Sequence, residues 1–163
     1  MSEFSLTVIG HWGAYPNCGE ATSCYLLQAE ETSVLLDCGS GALSVLQEHM
    51  SLADIDAVIL SHYHADHMAD LGCLQYAALI DMDLHRRQNP LMVYGHDEYA
   101  HTNILSFRDC VLGATYNRNS LLEIGPFRFS FVPTAHPDPC FAIRADCGSA
   151  SLVYSGDTEP CWE

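Results

Sequence analysis

The stretch Ser61–His67, SHYHADH, places three histidines and one aspartate in six consecutive positions. It follows an apolar run and precedes a segment whose apolar residues recur at helical spacing. In an extended segment, side chains two positions apart point the same way, so His62 and His64 can reach one cation together. Asp66 and His67 follow where the chain turns into the helix, and they can face a second point nearby. Chance produces such a cluster on the order of 0.002 times in a chain of this composition.

Imidazole and carboxylate side chains together suit Zn²⁺, and also Mn²⁺ or Fe²⁺. Two such cations about 3.5–4 Å apart generate a bridging hydroxide at neutral pH and polarise the bond that it attacks. The cluster lies where a buried strand is predicted to end, which is a common place for sites in α/β folds. We therefore expect part of a two-metal site at this point of the chain.

Two later segments carry side chains that could complete this site. VPTAHP (132–137) places His136 just after an apolar strand, and VYSGDT (153–158) places Asp157 after another. A lone histidine is more often structural, and an aspartate in S-G-D-T is commonly a turn residue, but the preceding cluster favours metal binding at both. A carboxylate can bridge two cations because it carries two oxygens. The other histidines lack such settings, and most are expected to be solvated: His11, His49, His85, His96 and His101. Of these, His11 is a weaker candidate for lining the pocket from the first loop.

Charge and composition exclude several classes of partner. The chain has 163 residues, the size of one domain, and a net charge of −15 from 21 acidic and 6 basic residues. This charge repels polyanions, so we expect a small-molecule substrate, no extended nucleic-acid binding and no membrane association. The N-terminus lacks a signal-peptide pattern and no run approaches about 18 apolar residues, which favours a cytoplasmic protein. The eight cysteines form no C-x-x-C pair and are expected to be mostly small buried hydrophobes.

Hydrophobic periodicity predicts a mixed α/β chain in which helices cover one face of a largely antiparallel sheet. The predicted strands span 4–9, 24–30, 32–38, 55–61, 91–95, 121–125, 127–134, 140–146 and 151–157. The predicted helices span 42–50, 68–82 and 97–107, and a loop with three glycines spans 10–23. Two hairpins are expected to turn at Gly125-Pro126 and at Gly148-Ser149, and Phe127, Phe129 and Phe131 are expected to share one face.

Taken together, these segments resemble the metallo-β-lactamase fold superfamily. The resemblance rests on FSLTVIGHWGAYP (4–16), LLDCGSG (35–41), SHYHADH in the place of the family's H-x-H-x-D-H, the later single histidine and the aspartate of SGDT. It covers essentially the whole chain, and within the superfamily the chain looks most like the small cytoplasmic hydrolases related to ribonuclease Z. The resemblance implies an αββα sandwich, a single domain over residues 1–163, and two divalent metal ions, with zinc preferred over manganese or iron.

The resemblance also implies a division of six ligands, with three on the first metal, two on the second and one bridging: His62, His64 and His136; Asp66 and His67; and Asp157. Asp66 would in addition be the catalytic proton-transfer group. Asp37, in LLDCG, would support the ligands without being one of them.

The chain departs from the family pattern in two ways. Only 21 positions separate His136 from Asp157, which leaves no room for the arm by which tRNA-processing members grip tRNA. No histidine follows His136, although the family places the last ligand of the second metal well after the aspartate. The chain is therefore expected to cover the N-terminal half of the sandwich and the start of the second half, with the C-terminal part missing. The first sheet would then expose apolar surface, which favours a homo-oligomer, a second chain or a longer protein.

The sequence thus favours a binuclear metal-dependent hydrolase that uses a metal-bound hydroxide, and the resemblance implies a phosphodiester of a small molecule or nucleotide as the substrate. Three alternatives stay open. The same fold could hydrolyse a lactone or thioester, because the ligands alone do not distinguish these bonds. The chain could be a non-catalytic metal-binding fragment or partner module. It could also be a tRNA 3′-processing endonuclease, although its charge and the absent arm disfavour this.

Overall fold

A computed structural model describes residues 4–98 and 102–160 of the chain. Within these ranges, two facing sheets and three α-helices form a mixed α/β structure. The strands are β1 (Phe4–Gly10), β2 (Cys24–Ala29), β3 (Thr32–Leu36), β4 (Ala57–Ile59), β5 (Leu91–His96), β6 (Val111–Tyr116), β7 (Leu121–Ile124), β8 (Phe127–Pro133), β9 (Phe141–Cys147) and β10 (Ala150–Tyr154). The helices are α1 (Ala42–Leu46), α2 (Ala65–Met68) and α3 (Leu71–Asp83), with 3₁₀ turns at Leu52–Asp54 and Thr102–Leu105.

The first sheet has six strands in the order β1-β2-β3-β4-β5-β6. Hairpins make the first three strands antiparallel, as predicted, but β3 to β6 pair in parallel, so the prediction of a largely antiparallel sheet is wrong for this half. The reason is the connections: α1 lies between β3 and β4, and α2 and α3 lie between β4 and β5. Each crossover returns the chain to the same end of the sheet, which makes successive strands parallel.

The predicted helix over 68–82 is instead two helices, and its first part begins three residues earlier. The helix is interrupted at Asp70. The backbone N–H of Asp70 donates to the carbonyl of Cys38, and its carboxylate accepts the N–H of Leu43. Asp70 thereby anchors the junction of α2 and α3 to the segment that follows β3. Short helix α2, which carries two of the predicted ligands, is placed by this anchor.

The predicted helix over 97–107 is wrong within the described residues, where only the 3₁₀ turn Thr102–Leu105 is helical; residues 99–101 lie outside them. Phe107 and Val111 exchange two backbone hydrogen bonds of 3.0 and 3.1 Å, and this closed loop leads directly into β6. Sequence analysis did not predict β6. Its burial alternates poorly with position, and Gly113 lies against Leu105 and Ser106, where a side chain would not fit.

The second sheet has four antiparallel strands in the order β10-β9-β8-β7. The register pairs Ile124 with Phe127 and Cys147 with Ala150, which confirms both predicted hairpins and their turns. Phe127, Phe129 and Phe131 are all buried on the face toward the first sheet, as predicted.

Two apolar layers hold the structure together. One lies between the first sheet and the helices, and the other lies between the two sheets. In the second layer Tyr116 of the first sheet stacks on Phe131 of the second at 3.8 Å between ring centroids. The inner face of the first sheet was expected to be exposed. Along β3 and β4 this is wrong, because the second sheet covers it. Exposed apolar side chains remain at β1, where Leu6 is 43% and Val8 52% exposed.

The described cysteines match the prediction that most are buried. Two are exposed and five are buried: Cys18 and Cys73; and Cys24, Cys38, Cys110, Cys140 and Cys147. Cys161 lies outside the described residues. Among the helices that the structure describes, none is long and apolar enough to cross a membrane.

Candidate metal centre

The predicted ligands come from three chain segments that meet at one end of the two sheets. His62, His64 and His67 lie on the segment that leaves β4 and enters α2, His136 follows β8, and Asp157 follows β10. Hydrogen bonds join these segments directly. The N–H of Phe141 donates to the carbonyl of Ser61 at 3.1 Å, and the Thr134 hydroxyl donates to the carbonyl of Asp157 at 2.7 Å.

Four of the predicted residues bring ligand atoms together: His62, His64, His136 and Asp157. One such atom from each lies within 4.8 Å of all the others. His62 is fully buried, and its Nε2 has no hydrogen-bond partner; the Asp157 carboxylate is 4.0 Å away. A buried polar atom without a partner is costly, and a cation at this point would relieve that cost. Three imidazoles and a carboxylate are a donor set that suits a divalent transition metal.

The other two predicted ligands lie beside this group. His67 Nε2 is 3.3 Å from the Asp157 carboxylate and 3.7 Å from that of Asp66. The rings of His62 and His67 are 4.1 Å apart between centroids, and Nε2 of each lies within 4.0 Å of the Asp157 carboxylate. Asp157 lies between the two groups, as the bridging role requires. Metal binding by these six side chains stays a prediction.

Asp37 supports the predicted ligands from the buried side of the site. Its carboxylate is fully buried and accepts four hydrogen bonds: from the Ser61 N–H at 2.6 Å, the Ser61 hydroxyl at 2.8 Å, the Tyr154 hydroxyl at 2.6 Å and His67 Nδ1 at 2.6 Å. Because Nδ1 of His67 donates to Asp37, Nε2 is the nitrogen left for the site. The supporting role predicted for Asp37 agrees with these contacts.

The two buried histidines differ in basicity. Burial, together with the nearby charge of His67, lowers the pKa of His62 to about 4. Burial alone would also lower the pKa of His67, but the hydrogen bond and charge of Asp37, with the charges of Asp157 and Asp66, raise it above its ordinary value. His62 is therefore neutral near pH 7, which is the form that binds a metal.

The first loop places Asp66. The N–H of Ala14 donates to the Asp66 carboxylate at 2.7 Å, and Ala14 has a left-handed backbone with φ 59°. Burial would raise the pKa of Asp66, but this hydrogen bond and the neighbouring histidine lower it. Gly39 packs against the backbone carbonyl of Asp66, where a Cβ would collide. The catalytic role of Asp66 stays a prediction, and these contacts show what orients it.

Two residues that sequence reasoning missed contact the site. Tyr154 donates to Asp37 from 117 positions away, and Asp138 lies 2.6 Å from His64 Nε2 through its carboxylate. In the sequence, Asp138 reads as a turn residue in H-P-D-P and Tyr154 as one member of an apolar strand. No local signal marks either, because only the packing of the two sheets brings them to the site.

The remaining histidines divide as follows. His49 and His85 are exposed, as predicted, and His101 lies outside the described residues. His96 was expected to be solvated and is instead fully buried against Tyr63 and Phe141, because it ends β5, a non-edge strand of the first sheet, and its ring lies against the second sheet. His11 lines a groove of about 360 Å³ that also includes Trp12, Tyr25, Tyr154 and Asp157. It therefore lies beside the candidate site, and its role there stays a prediction.

Comparison with known proteins agrees with this architecture. A family model described as the metallo-beta-lactamase superfamily matches residues 19–160. The probable metallo-hydrolase YhfI of Bacillus subtilis is 41% identical over 154 residues, which cover 94% of this chain and 63% of YhfI. The crystal structure of the metallo-beta-lactamase fold protein YhfI aligns with a TM-score of 0.92 over the same shares of the two chains. Ribonuclease Z of Methanopyrus kandleri is 29% identical over 146 residues, covering 88% of this chain and 50% of that protein.

The chain spans 63% and 50% of the length of these two relatives. Proteins of this superfamily typically bind divalent metals, and the histidine and aspartate cluster lies in the matched region. The match covers most of the chain, and the similarity to YhfI extends over both sheets. The chain therefore belongs to the metallo-beta-lactamase superfamily.

Proposed function

We propose that this protein is a metal-dependent hydrolase that acts on a phosphodiester bond of a small molecule or nucleotide. The observation that carries the proposal is the convergence of four ligand atoms within 4.8 Å, with the buried Nε2 of His62 lacking a hydrogen-bond partner. A bare imidazole nitrogen buried beside other imidazoles costs free energy, and a bound cation would offset that cost.

The residues present could hold two divalent cations, of which zinc is the first choice. His62, His64 and His136 would hold the first, His67 and Asp66 would contribute to the second, and Asp157 would contact both. Divalent cations, when bound, activate water at neutral pH and stabilise negative charge that develops on the substrate.

The chain's own residues have separate tasks in this reaction. Asp66 would take and deliver a proton, since its Oδ2 accepts the N–H of Ala14 and lies 3.7 Å from Nε2 of His67, which holds the carboxylate beside the site. Asp37 keeps the Nε2 of His67 directed toward the site. The groove beside Asp157 is lined by Trp12 and Tyr25, which can contact the non-reacting part of a substrate.

Charge narrows the substrate class. The net charge is −15, and among the described residues that line the groove none is lysine or arginine. Attraction of a phosphate would therefore come from bound cations, which act locally, and a polyanion would be repelled by the rest of the molecule. A relative named ribonuclease Z supports cleavage of a phosphodiester, while the charge favours a small one. A tRNA 3′-processing reaction is accordingly disfavoured.

The test is hydrolysis of bis(p-nitrophenyl) phosphate and of a simple lactone by the zinc- or manganese-loaded protein. We expect turnover of the phosphodiester and a loss of about 100-fold or more in His64→Ala, because removal of a ligand should cost at least as much as removal of a residue that supports one. His49→Ala is the matched control, since His49 is exposed and remote from the site.

Wild-type turnover in His64→Ala would reject the metal-centred reaction. Hydrolysis of the lactone with none of the phosphodiester would replace the proposed substrate with an acyl bond and leave the metal site in place. Tight, salt-sensitive binding of tRNA would restore the tRNA-processing alternative.

A further inference from the structure

Asp138 contacts two of the proposed ligands at once. Its carboxylate lies 2.6 Å from Nε2 of His64, and its backbone carbonyl lies 2.8 Å from Nδ1 of His136. The residue belongs to the segment between β8 and β9 and is flanked by Pro137 and Pro139. Its side chain is 48% exposed and that of His64 is 43% exposed, so this pair lies at the mouth of the site.

Each contact occupies one nitrogen of an imidazole and leaves the other for a cation. A neutral imidazole has one N–H and one bare nitrogen, and only the bare nitrogen binds a metal. When Nε2 of His64 donates to Asp138, Nδ1 of His64 becomes the metal-binding atom. When Nδ1 of His136 donates to the carbonyl of Asp138, Nε2 of His136 takes that role.

A competing contact exists at His136 but is weaker. The N–H of Asp138 lies 3.3 Å from the same Nδ1, which would then have to accept a hydrogen bond and could not donate one. The 2.8 Å contact to the carbonyl is the shorter by half an ångström and favours the donating form. The backbone of Asp138 is also constrained, because a residue that precedes proline avoids the helical region.

We infer that Asp138 is a positioning residue that sets which nitrogen of His64 and of His136 faces the metal. The inference rests on the proposed metal site and goes beyond it, since none of the predicted roles includes this residue. Asp138 is distinct from the four-residue group itself, and its Oδ2 is already engaged by His64. It acts on the rim of the site as Asp37 acts on its buried side.

The first test is zinc affinity, measured by competition with a chromophoric chelator. We expect Asp138→Ala to weaken zinc binding about 10- to 100-fold, the usual cost of removing a carboxylate that orients a metal-binding histidine. Asp138→Asn should recover most of the affinity, because its amide oxygen still accepts from Nε2 of His64. Asp83→Ala, which removes the same charge from an exposed position on α3, should bind as the wild type does.

The second test reads the tautomers without any metal. Long-range ¹H–¹⁵N NMR of the metal-free wild-type protein should show His64 protonated at Nε2 and His136 protonated at Nδ1. The Nδ1–H form is the less common one for a free imidazole, so its presence at His136 would report the carbonyl contact. This measurement stands even if Asp138→Ala folds poorly.

Affinity of Asp138→Ala within twofold of Asp83→Ala would overturn the inference, as would Asp138→Asn binding as weakly as Asp138→Ala. A neutral His136 protonated at Nε2 would overturn the part that concerns His136. A wild-type protein that binds no zinc, manganese or iron would reject the proposed metal site, and this inference with it. Normal zinc binding without any effect at Asp138 would reject this inference alone.

Discussion

The buried and exposed parts of the candidate site are built differently. The buried part consists of Asp37, Ser61, His62 and His67, none of which is more than 1% exposed. The exposed part consists of four side chains that follow β8 and β10 or begin α2: His64, His136, Asp138 and Asp157. The side chains of His64, Asp138 and Asp157 are 43–48% exposed, and His136 is partly buried. We call these two parts the floor and the rim.

The two parts differ in how far their geometry is fixed before any cation binds. In the floor, one carboxylate accepts four hydrogen bonds, so its geometry is over-determined by contacts that water cannot replace. In the rim, each side chain has one or two partners and competes with solvent. The floor should therefore govern stability, whereas the rim should govern metal affinity and access of substrate.

The largest expected effect follows from removing the centre of the floor. Asp37→Ala should lower the free energy of unfolding by about 3–5 kcal/mol, because it leaves His67 Nδ1 and the Ser61 and Tyr154 hydroxyls buried without an acceptor. Urea denaturation of the metal-free protein measures this. Asp37→Asn should not restore stability. Three donors meet at Oδ2 and the Ser61 N–H meets Oδ1, so the NH₂ group of the amide would face a donor in either orientation.

Asp83→Asn is the control for charge in this series, and it should change the free energy of unfolding by less than about 0.5 kcal/mol. If Asp37→Ala were as stable as this control, the floor would not be preorganised. The comparison between floor and rim would then lose its energetic basis.

The next effect is the dependence of stability on pH. Burial lowers the pKa of His62 to about 4 in the folded protein, against about 6.5 when unfolded. The unfolded chain therefore binds more protons in this window, so the stabilising contribution is complete above pH 6.5 and is lost as pH falls toward 4. The loss in metal-free protein should approach about 3 kcal/mol at most, from a shift of this size.

His67 does not mask this change, since its raised pKa makes its contribution complete below its unfolded pKa and lost only as pH rises through the folded one. His96 is also buried with a lowered pKa and adds to the same slope. Denaturation of wild type and His62→Gln at pH 4.5, 5.5 and 7 therefore isolates His62. Equal slopes in the two proteins would show that His62 is as basic as a solvated histidine.

The smallest expected effect on stability is in the rim. His136→Ala should change the free energy of unfolding by about 1 kcal/mol or less, because it removes one half-exposed ring and one hydrogen bond. The same variant should weaken zinc binding at least as much as Asp138→Ala does. Urea denaturation and the chelator competition, run on one preparation, provide both values. A large loss of stability would place His136 with the floor.

Much of the fold was predictable because its signals are local. The alternation in β8 predicted the shared face of Phe127, Phe129 and Phe131, and Gly148-Ser149 marked the hairpin between β9 and β10. The parallel pairing of β3 to β6 was missed, because strand direction depends on where a crossover returns the chain. Strand β6 was missed as well. Gly113 interrupts its apolar residues, and buried and exposed positions do not alternate along the strand.

The family and the chemical character of the site could be inferred from SHYHADH alone, since this stretch carries metal-binding histidines and an aspartate at spacings that bring them together where a strand ends. The sequence also indicated His136 and Asp157, because each directly follows an apolar strand. The nitrogen that each imidazole leaves available could not be inferred in this way, because it depends on hydrogen-bond acceptors that the fold brings from distant segments. Asp37 and Asp138 supply those acceptors, and Tyr154 reaches Asp37 across 117 positions only because the two sheets pack face to face.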